Sequence, residues 1–358
     1  MKKTLLLILC LSLLLSGCAA LFDGSYYHEE PHANQGNRLP QGSIIASNYD
    51  GLCSALSGLV ENGSQSGIIT VATYDQSTIY TDLNRAVSQV CSTNPIAAWA
   101  VENIQWELGS NGGQLSVAVN ITYVHDRAEI RKVHRVNNVS AAVNVITGVL
   151  NDCGSSVQVL ISHYEEVDFS QLVDSYADTH PEAVMERPQV VVNTFPETGS
   201  SRLVELKFTY QNSREALRTM KEQVYTVFES ATLFVSSYNS EAEKFQQLYA
   251  FLMEFLVEGD YQLETSITPA YSLLRHGVGD KKAFATVYAA MCREAGLDCR
   301  VVTGTRSGEP WVWNLICVDG VYNHLDLLRC SQRGYYRAYP DSQMDGYVWD
   351  YSAFPTSK

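Results

Sequence analysis

The sequence predicts an α+β fold made of two tandem modules and a third domain at the C-terminal end. Three observations predict it: strand-like runs that alternate β-branched and aromatic residues, tight-turn signals that join some runs in pairs, and amphipathic helical stretches between them. At 358 residues the chain is long enough for two or three domains. We expect a leader over 1–17, a tether over 18–43, modules over 44–150 and 151–239, and the third domain over 240–358.

The leader has the pattern of a secretory signal. Two lysines are followed by an apolar run from Leu5 to Leu15 and then by two small residues, Ser16 and Gly17. The apolar run is too short to span a bilayer, which takes roughly 20 apolar residues. Cys18 follows directly, and the whole segment resembles the lipobox of bacterial lipoproteins.

This resemblance implies cleavage before Cys18 and a diacylglycerol on its thiol, with palmitate or similar acyl chains. Two or three such chains anchor a protein stably, whereas one does not. We therefore expect an extracytoplasmic lipoprotein anchored to the cell membrane. The alternative is an ordinary secretory signal followed by a chance cysteine. Residues 18–43 show no periodicity and are rich in loop-forming residues, which is typical of a flexible tether.

Charge and composition exclude several kinds of partner. The formal net charge is −14, and it becomes −16 once the two lysines of the leader are removed. No basic stretch remains that could neutralise phosphates, so we expect no nucleic-acid partner. The sequence has no Cys-x-x-Cys pair and no Cys/His cluster with metal spacing. We therefore expect neither a metal nor another cofactor.

The cysteine count leaves the disulfide pairing open. Cys10 belongs to the leader and Cys18 is the predicted lipidation site. Export permits disulfides, but the odd number that remains means that at least one thiol stays free or pairs outside the chain. The seven remaining cysteines are Cys53, Cys91, Cys153, Cys292, Cys299, Cys317 and Cys330.

Residues 44–235 contain an internal repeat with a strand, a helix-like stretch, two strands joined by a tight turn, and a long helix in each copy. Tyr74 and Tyr164 end the first strands 90 residues apart, and Tyr123 and Tyr210 end the hairpins 87 residues apart. Asn-Gly and Thr-Gly between the paired strands are typical of hairpin turns. The two modules are thus predicted to share one fold, and neither carries a catalytic pattern.

We expect three long helices in and beside these modules. One precedes the first strand over about 48–61, and the other two follow the hairpins over about 127–150 and 213–235. Each module is therefore predicted to have the order helix, strand, helix, hairpin. In the third domain, an amphipathic helix is predicted over about 240–258.

The third domain carries the most informative pattern, a series of short segments in a fixed order. These are Ala-Tyr-x-x-Leu from Ala270, Gly-x-Gly from Gly277, Ala-Gly-Leu from Ala295, Val-Thr-Gly from Val302, Trp-Asn at Trp313, Val-Asp-Gly from Val318 and Leu-Asp at Leu325. Over roughly 115 residues, this order and spacing resembles the transglutaminase-like superfamily, which has a papain-like α+β fold.

The resemblance implies a catalytic triad with a thiol nucleophile. In the family, a cysteine opens the long buried helix, a histidine two residues before the Trp-Asn pair takes its proton, and an aspartate on the next strand orients the histidine. In this sequence the cysteine position falls on Lys281 and the histidine position on Trp311, and only the aspartate matches, as Asp326. Without a thiolate no acyl-enzyme forms, so we expect no catalytic residue and no enzymatic activity.

Three residues could substitute for the missing thiol or imidazole of the triad. Cys292 lies eleven residues after Lys281 on the same predicted helix, about 16 Å away, and is expected to be a buried core thiol. His324 lies two residues before Asp326 and is expected outside the triad, although both could face one side of a strand. Lys281 is expected to reach Asp326 or to project into solvent rather than to act as a nucleophile. Trp311 is expected to fill the volume of the absent imidazole.

We therefore expect a non-catalytic binding or scaffolding lipoprotein at the cell envelope, with envelope proteins or cell-wall peptides as partners. Two alternatives remain open at this point. One is a transglutaminase-like or cysteine-peptidase-like enzyme with a rearranged active site. The other is a purely structural spacer of the envelope.

Overall fold

The computed structural model describes residues 43–71, 73–111, 114–255, 257–259 and 266–354. The predicted leader, Cys18 and residues 18–42 of the predicted tether lie outside the described residues. The chain divides into two units, Met1–Ile44 and Ile45–Lys358. No described helix is both long enough and apolar enough to cross a membrane.

The first module contains a four-stranded sheet with the strand order β1-β2-β4-β3. Asn48 begins the first helix, because its side-chain oxygen accepts a hydrogen bond from the Gly51 amide. The strands are β1 (Ser43–Ile45), β2 (Ser66–Thr70), β3 (Val101–Asn111) and β4 (Gln114–Tyr123). The helices are α1 (Tyr49–Glu61), α2 (Ile79–Thr93) and α3 (Pro95–Ala100).

The second module repeats this arrangement, since its sheet has the equivalent strand order β5-β6-β8-β7. Strand β5 runs parallel to β6, whereas β8 is antiparallel to both of its neighbours. The strands are β5 (His134–Asn138), β6 (Ser156–His163), β7 (Gln189–Phe195) and β8 (Arg202–Thr209). The helices are α4 (Arg127–Lys132), α5 (Val139–Asn151), α6 (Phe169–Thr179) and α7 (Arg214–Phe234).

The prediction of one continuous helix over 127–150 is wrong. Two helices occupy this stretch, with β5 between them. Asn138 ends the strand and begins α5 by accepting a hydrogen bond from the Ala141 amide, 2.9 Å away. The second module therefore starts with α4 and β5, ahead of the predicted boundary at residue 151, and both modules share the order strand, helix, strand, helix, hairpin. The helices predicted over 48–61 and 213–235 are confirmed as α1 and α7.

The third domain packs four helices against a four-stranded antiparallel sheet with the order β13-β12-β11-β14. Its helices are α8 (Glu241–Phe255), α9 (Pro269–His276), α10 (Lys281–Glu294) and α11 (Leu327–Arg333). The sheet strands are β11 (Cys299–Arg306), β12 (Glu309–Val318), β13 (Val321–Leu325) and β14 (Tyr347–Trp349). Two short strands, β9 (Val257–Glu258) and β10 (Val278–Gly279), pair in parallel ahead of α10.

Helix α10 is the central element of this domain. Asp280 caps its first turn by accepting a hydrogen bond from the Ala283 amide, 2.8 Å away. Every residue from 283 to 292 is buried, so the helix is covered on all sides by α8, α9 and the sheet. The chain leaves the helix at Gly296, whose φ of +74° suits a residue without a Cβ, as the sequence predicts.

The second module contacts the first turn and the last turn of α10. Lys282 Nζ lies 2.7 Å from a carboxylate oxygen of Asp178, which also pairs with Arg187. Near the other end, Arg293 Nη2 lies 2.7 Å from Glu182 Oε1. These ion pairs join α10 to helix α6 and to the loop after it, so the second module fixes the position of the helix that carries the candidate site.

Candidate functional site

The three positions that the sequence singles out come together in the structure. Lys281 is the first residue of α10, Trp311 lies on β12, and Asp326 follows the last residue of β13. The indole Nε1 of Trp311 donates a hydrogen bond to Asp326 Oδ2 over 2.8 Å. The ammonium of Lys281 lies 4.4 Å from the centroid of the Trp311 ring.

The backbone at the edge of the sheet allows this convergence. Trp311 pairs with Gly304 on β11, and Gly304 pairs with Trp349 on β14. A Cβ on Gly304 would overlap the carbonyl oxygen of Val348 and press on the ring of Trp313. Glycine at this position therefore lets β14 approach closely, and β14 brings a further side chain to the site.

Asp326 is buried, with 2% of its surface exposed, and its carboxylate is satisfied by the surrounding protein. Oδ2 accepts from Trp311 and, over 2.6 Å, from the Tyr347 hydroxyl. Arg306 Nη1 is 3.6 Å from the same oxygen. Oδ1 accepts a hydrogen bond from the Arg329 amide over 3.0 Å, so Asp326 caps the start of helix α11. The expectation that Asp326 lies on the strand is therefore wrong, because β13 ends one residue earlier. A buried carboxylate requires such partners, and here its acceptors are occupied.

Tyr347 acts as a neutral donor in this network. Burial, together with the adjacent Asp326 carboxylate, raises the pKa of Tyr347 far above its usual value. Ionisation would place a second negative charge beside Asp326 in a poorly solvated site. The hydroxyl therefore keeps its proton and its hydrogen bond at any physiological pH.

Lys281 does not pair with Asp326, which is one of the two arrangements expected from the sequence, and its side chain stays partly exposed to solvent. Its ammonium lies against the indole of Trp311, while the oxygens of Asp326 are taken by other donors. Arg306 contacts the same indole, with its Cζ 4.9 Å from the ring centroid. Each such cation–ring contact stabilises by about 0.5–2 kcal/mol, depending on exposure. Trp311 thus connects two cations and one buried carboxylate.

Cys292 is the core thiol that the sequence predicts. It is fully buried, and burial raises the pKa of its thiol well above the usual value. Burial also raises the pKa of Cys91, Cys153 and Cys330. A thiol in such surroundings is a poor nucleophile because it is rarely ionised. None of the seven cysteines in the described part of the chain is in a disulfide in this structure.

His324 belongs to a second buried network beside the site and does not contact Asp326. Its Nδ1 accepts from the indole of Trp313 over 2.9 Å, which leaves Nε2 to donate to Asp341 Oδ1 at 3.0 Å. Burial lowers the pKa of His324, and the Asp341 carboxylate partly opposes that shift. Trp349 completes the cluster, with its ring 4.5 Å from the imidazole.

Sequence reasoning missed the residues that complete both networks. Arg306 and Tyr347 are 41 residues apart in the sequence, and the register of β11 with β14 pairs them. Asp341 lies in a short 3₁₀ turn, Asp341–Gln343. None of the three stands in a segment with a recognisable spacing, so only the fold identifies them.

The chemistry open to this arrangement follows from its donors and acceptors. An indole N–H donates a hydrogen bond and cannot take a proton, whereas a neutral imidazole does both. The two cations that lie over the Trp311 ring suit contact with a negatively charged ligand. Among the described residues, no group of histidine, cysteine or carboxylate side chains has the geometry of a metal site.

In a comparison with known families, residues 230–350 match the model of the transglutaminase-like superfamily. Three solved structures are similar at low levels: a TGase at 11% identity and TM-score 0.26, a candidate cysteine protease from Cytophaga hutchinsonii at 13% and 0.28, and a candidate protease from Parabacteroides distasonis at 12% and 0.25. These alignments cover 54%, 45% and 59% of this chain. The chain spans 58%, 65% and 45% of the lengths of those proteins. The search of curated proteins finds no match.

Proposed function

We propose that this protein, in which residues 230–350 form a transglutaminase-like domain, is a membrane-anchored extracytoplasmic lipoprotein that binds partners instead of catalysing a reaction. The observation that carries the proposal is the contact among Lys281, Trp311 and Asp326. The first residue of the central helix is a lysine, and the group that donates to the buried aspartate is an indole. Neither supplies the nucleophile or the base of a thiol triad.

The surroundings of these residues support a binding role. Oδ2 of Asp326 already accepts from Trp311 and Tyr347 and lies 3.6 Å from Arg306, so this oxygen has no room to orient another base. Cys292 lies in the core of α10 with a raised thiol pKa, and His324 is held by Trp313 and Asp341. No other arrangement of thiol and imidazole takes the place of the triad around Asp326 in the described part of the domain.

The proposed location rests on the sequence of the leader. An apolar run of signal length ends in Ser16-Gly17, and Cys18 stands where lipid would be attached. Anchored there, the two modules and the transglutaminase-like domain would present their surfaces to envelope proteins or cell-wall peptides. The net charge of −16 after cleavage suits a soluble display of these surfaces outside the cell.

An activity assay tests the absence of catalysis. The purified protein is incubated with a fluorescent primary amine and a glutamine-rich acceptor protein, and separately with a thiol-reactive probe under native conditions. We expect no amine incorporation and no fast thiol labelling. Turnover that disappears in Cys292→Ser or Lys281→Gln, but persists in Cys91→Ser, would instead establish an enzyme with a rearranged active site.

Metabolic labelling tests the anchor. Cells that produce the protein are fed a labelled palmitate analogue, and we expect label on the protein and its recovery in the membrane fraction. Cys18→Ser should abolish both, whereas Cys10→Ser, a matched change inside the leader, should leave both intact. Label that survives Cys18→Ser would contradict lipidation at this residue.

Crosslinking in whole cells tests the binding role. Partners captured by the intact protein are compared with those captured by Trp311→Ala and by Trp106→Ala, which changes an aromatic residue on β3 of the first module. We expect at least one envelope partner whose capture depends on Trp311 but not on Trp106. If no specific partner is captured and the deletion strain has a weakened wall, the protein acts as a structural spacer.

A further inference from the structure

A row of alternating cations and aromatic rings extends from the candidate site. Lys281 and Arg306 contact Trp311 at 4.4 and 4.9 Å, and Arg306 lies 5.5 Å from the ring of Tyr347. Beyond it, three arginines surround Tyr339, and one of them also contacts Tyr347. The cation–aromatic row consists of Lys281, Trp311, Arg306, Tyr347, Arg329, Tyr339, Arg333 and Arg337.

This concentration of positive charge is unusual for the chain, which has 25 basic and 39 acidic residues. Five basic side chains stand in the row, and the buried Asp326 is the carboxylate that pairs with Arg306. The Asp326 oxygens are already shared with Trp311, Tyr347 and the Arg329 amide. Asp326 contributes one negative charge to a row that holds five basic side chains.

Two members of the row are poorly neutralised by the protein. Lys281 has no carboxylate partner among the described residues, although it stands at the positive end of helix α10. A cation at that end is unfavourable by about 0.3–1 kcal/mol, and the Asp280 carboxylate that caps the helix already supplies one anion there. Arg329 has two buried guanidinium nitrogens, Nε and Nη1, with no hydrogen-bond partner among the described residues. The Lys281 ammonium can therefore meet an anion from outside the chain, whereas the buried Arg329 nitrogens add positive charge without contacting that anion.

The spacing of the cations points to more than one negative charge. Because both contact the Trp311 ring, Lys281 Nζ and Arg306 Cζ are no more than about 9.3 Å apart. Side chains two residues apart in an extended peptide lie on one face, about 7 Å from each other. Two carboxylates at that spacing can reach both cations, and Arg333 and Arg337 at the exposed end of the row can take further ones.

We propose that the cation–aromatic row binds an extended acidic peptide segment with carboxylates at alternate positions. This inference rests on the proposed binding function and names the chemistry of its ligand. Arginine donors pair with carboxylates in fixed geometry, and the tyrosine and tryptophan rings hold the cations in place without neutralising them. The rest of the chain is acidic and repels an acidic ligand, whereas the basic side chains of the row attract it.

Calorimetric titration with defined peptides tests the proposal. The probe is an acetylated, amidated hexapeptide with glutamate at every second position and serine between, and the control is the same peptide with glutamine. We expect binding of the glutamate peptide only, weakening as salt rises. Lys281→Gln and Arg337→Gln should each weaken it about tenfold, whereas Arg218→Gln, an exposed arginine on α7, should not change it.

Several outcomes would overturn the proposal. Equal binding of the two peptides, or unchanged affinity in Lys281→Gln, would show that the row does not recognise carboxylates. Displacement of the peptide by inorganic phosphate at equal concentration would assign the row to phosphate groups. If the glutamate peptide fails to bind while Trp311-dependent capture of an envelope partner persists, only this inference fails and the proposed binding function stands.

Discussion

Asp326→Ala removes the residue on which the donors of the candidate site converge. The change deletes an acceptor for the indole of Trp311, an acceptor for the hydroxyl of Tyr347 and the cap of helix α11. It also removes the negative charge that lies 3.6 Å from Arg306. We expect the transglutaminase-like domain to lose a substantial part of its stability.

The magnitude follows from the individual interactions. Loss of a helix cap costs about 1 kcal/mol, and each buried donor left without a partner costs about 1–3 kcal/mol. Trp311 is half-buried, so water can reach part of the space that the carboxylate leaves. We therefore expect the free energy of unfolding to fall by about 3–5 kcal/mol, the range found when one partner of a buried ionic network is removed.

The assay is urea unfolding followed by tryptophan fluorescence, because Trp311, Trp313 and Trp349 all lie in this domain. The comparison requires equal slopes with urea in both proteins, so that the midpoint alone reports stability. Asp298→Ala is the matched control. Asp298 is 42% exposed and pairs with Arg300, so its loss should cost under about 1 kcal/mol. If Asp326→Ala costs no more than this control, the hydrogen bonds of Asp326 do not stabilise the domain.

Four further predictions concern neighbouring residues. Burial lowers the pKa of His324 in the folded protein, so the unfolded chain binds the extra proton as the pH falls through about 6.5. The free energy of unfolding, measured by urea titration, should therefore decline below that pH, and His324→Gln should flatten the decline. Gly304→Ala should lower the melting temperature, since its Cβ meets the Val348 carbonyl, with a loss of about 1–3 kcal/mol; an unchanged melting curve would contradict that contact. Cys292 should resist iodoacetamide in the folded protein and react after urea unfolding, as mass spectrometry can show. In the double variant Lys281→Cys, Trp311→His, the new thiol should have a pKa below the usual value of about 8.5, measured by the pH dependence of alkylation. Circular dichroism first shows whether the variant folds. An unshifted thiol pKa in the folded variant would refute the assignment of these positions.

Local pattern was sufficient for part of the fold. The hairpins and the helices α1 and α7 follow from alternation, turn residues and capping residues, all of which act within a few positions of the chain. Strand β5 could not be predicted in this way. It has a single half-buried apolar residue, Val136, and it forms by parallel pairing with β6, a contact between distant parts of the sequence.

In the candidate site, too, only the residues that belong to a sequence pattern could be predicted. Resemblance to a family pattern identified Lys281, Trp311 and Asp326, and the fold brings them into contact. It did not identify Arg306 and Tyr347, because their contribution depends on the register between β11 and β14. The arrangement of Lys281 against the ring, and not beside Asp326, likewise depends on which donors already fill the carboxylate.

On the proposed assignment of Lys281 and Trp311 to the triad positions, the two residues have separable physical consequences. An imidazole beside the buried aspartate would supply one donor and one acceptor, and the indole of Trp311 keeps the donor and removes the acceptor. Asp326 is therefore still satisfied, and the domain can keep its fold without the base. The second substitution reverses a charge: a thiolate at the start of α10 would be an anion stabilised by the helix end, whereas Lys281 is a cation at the same place. On that assignment, the indole keeps the hydrogen bond to Asp326, and the change from an anion to a cation at the start of α10 is consistent with the negatively charged ligand proposed above.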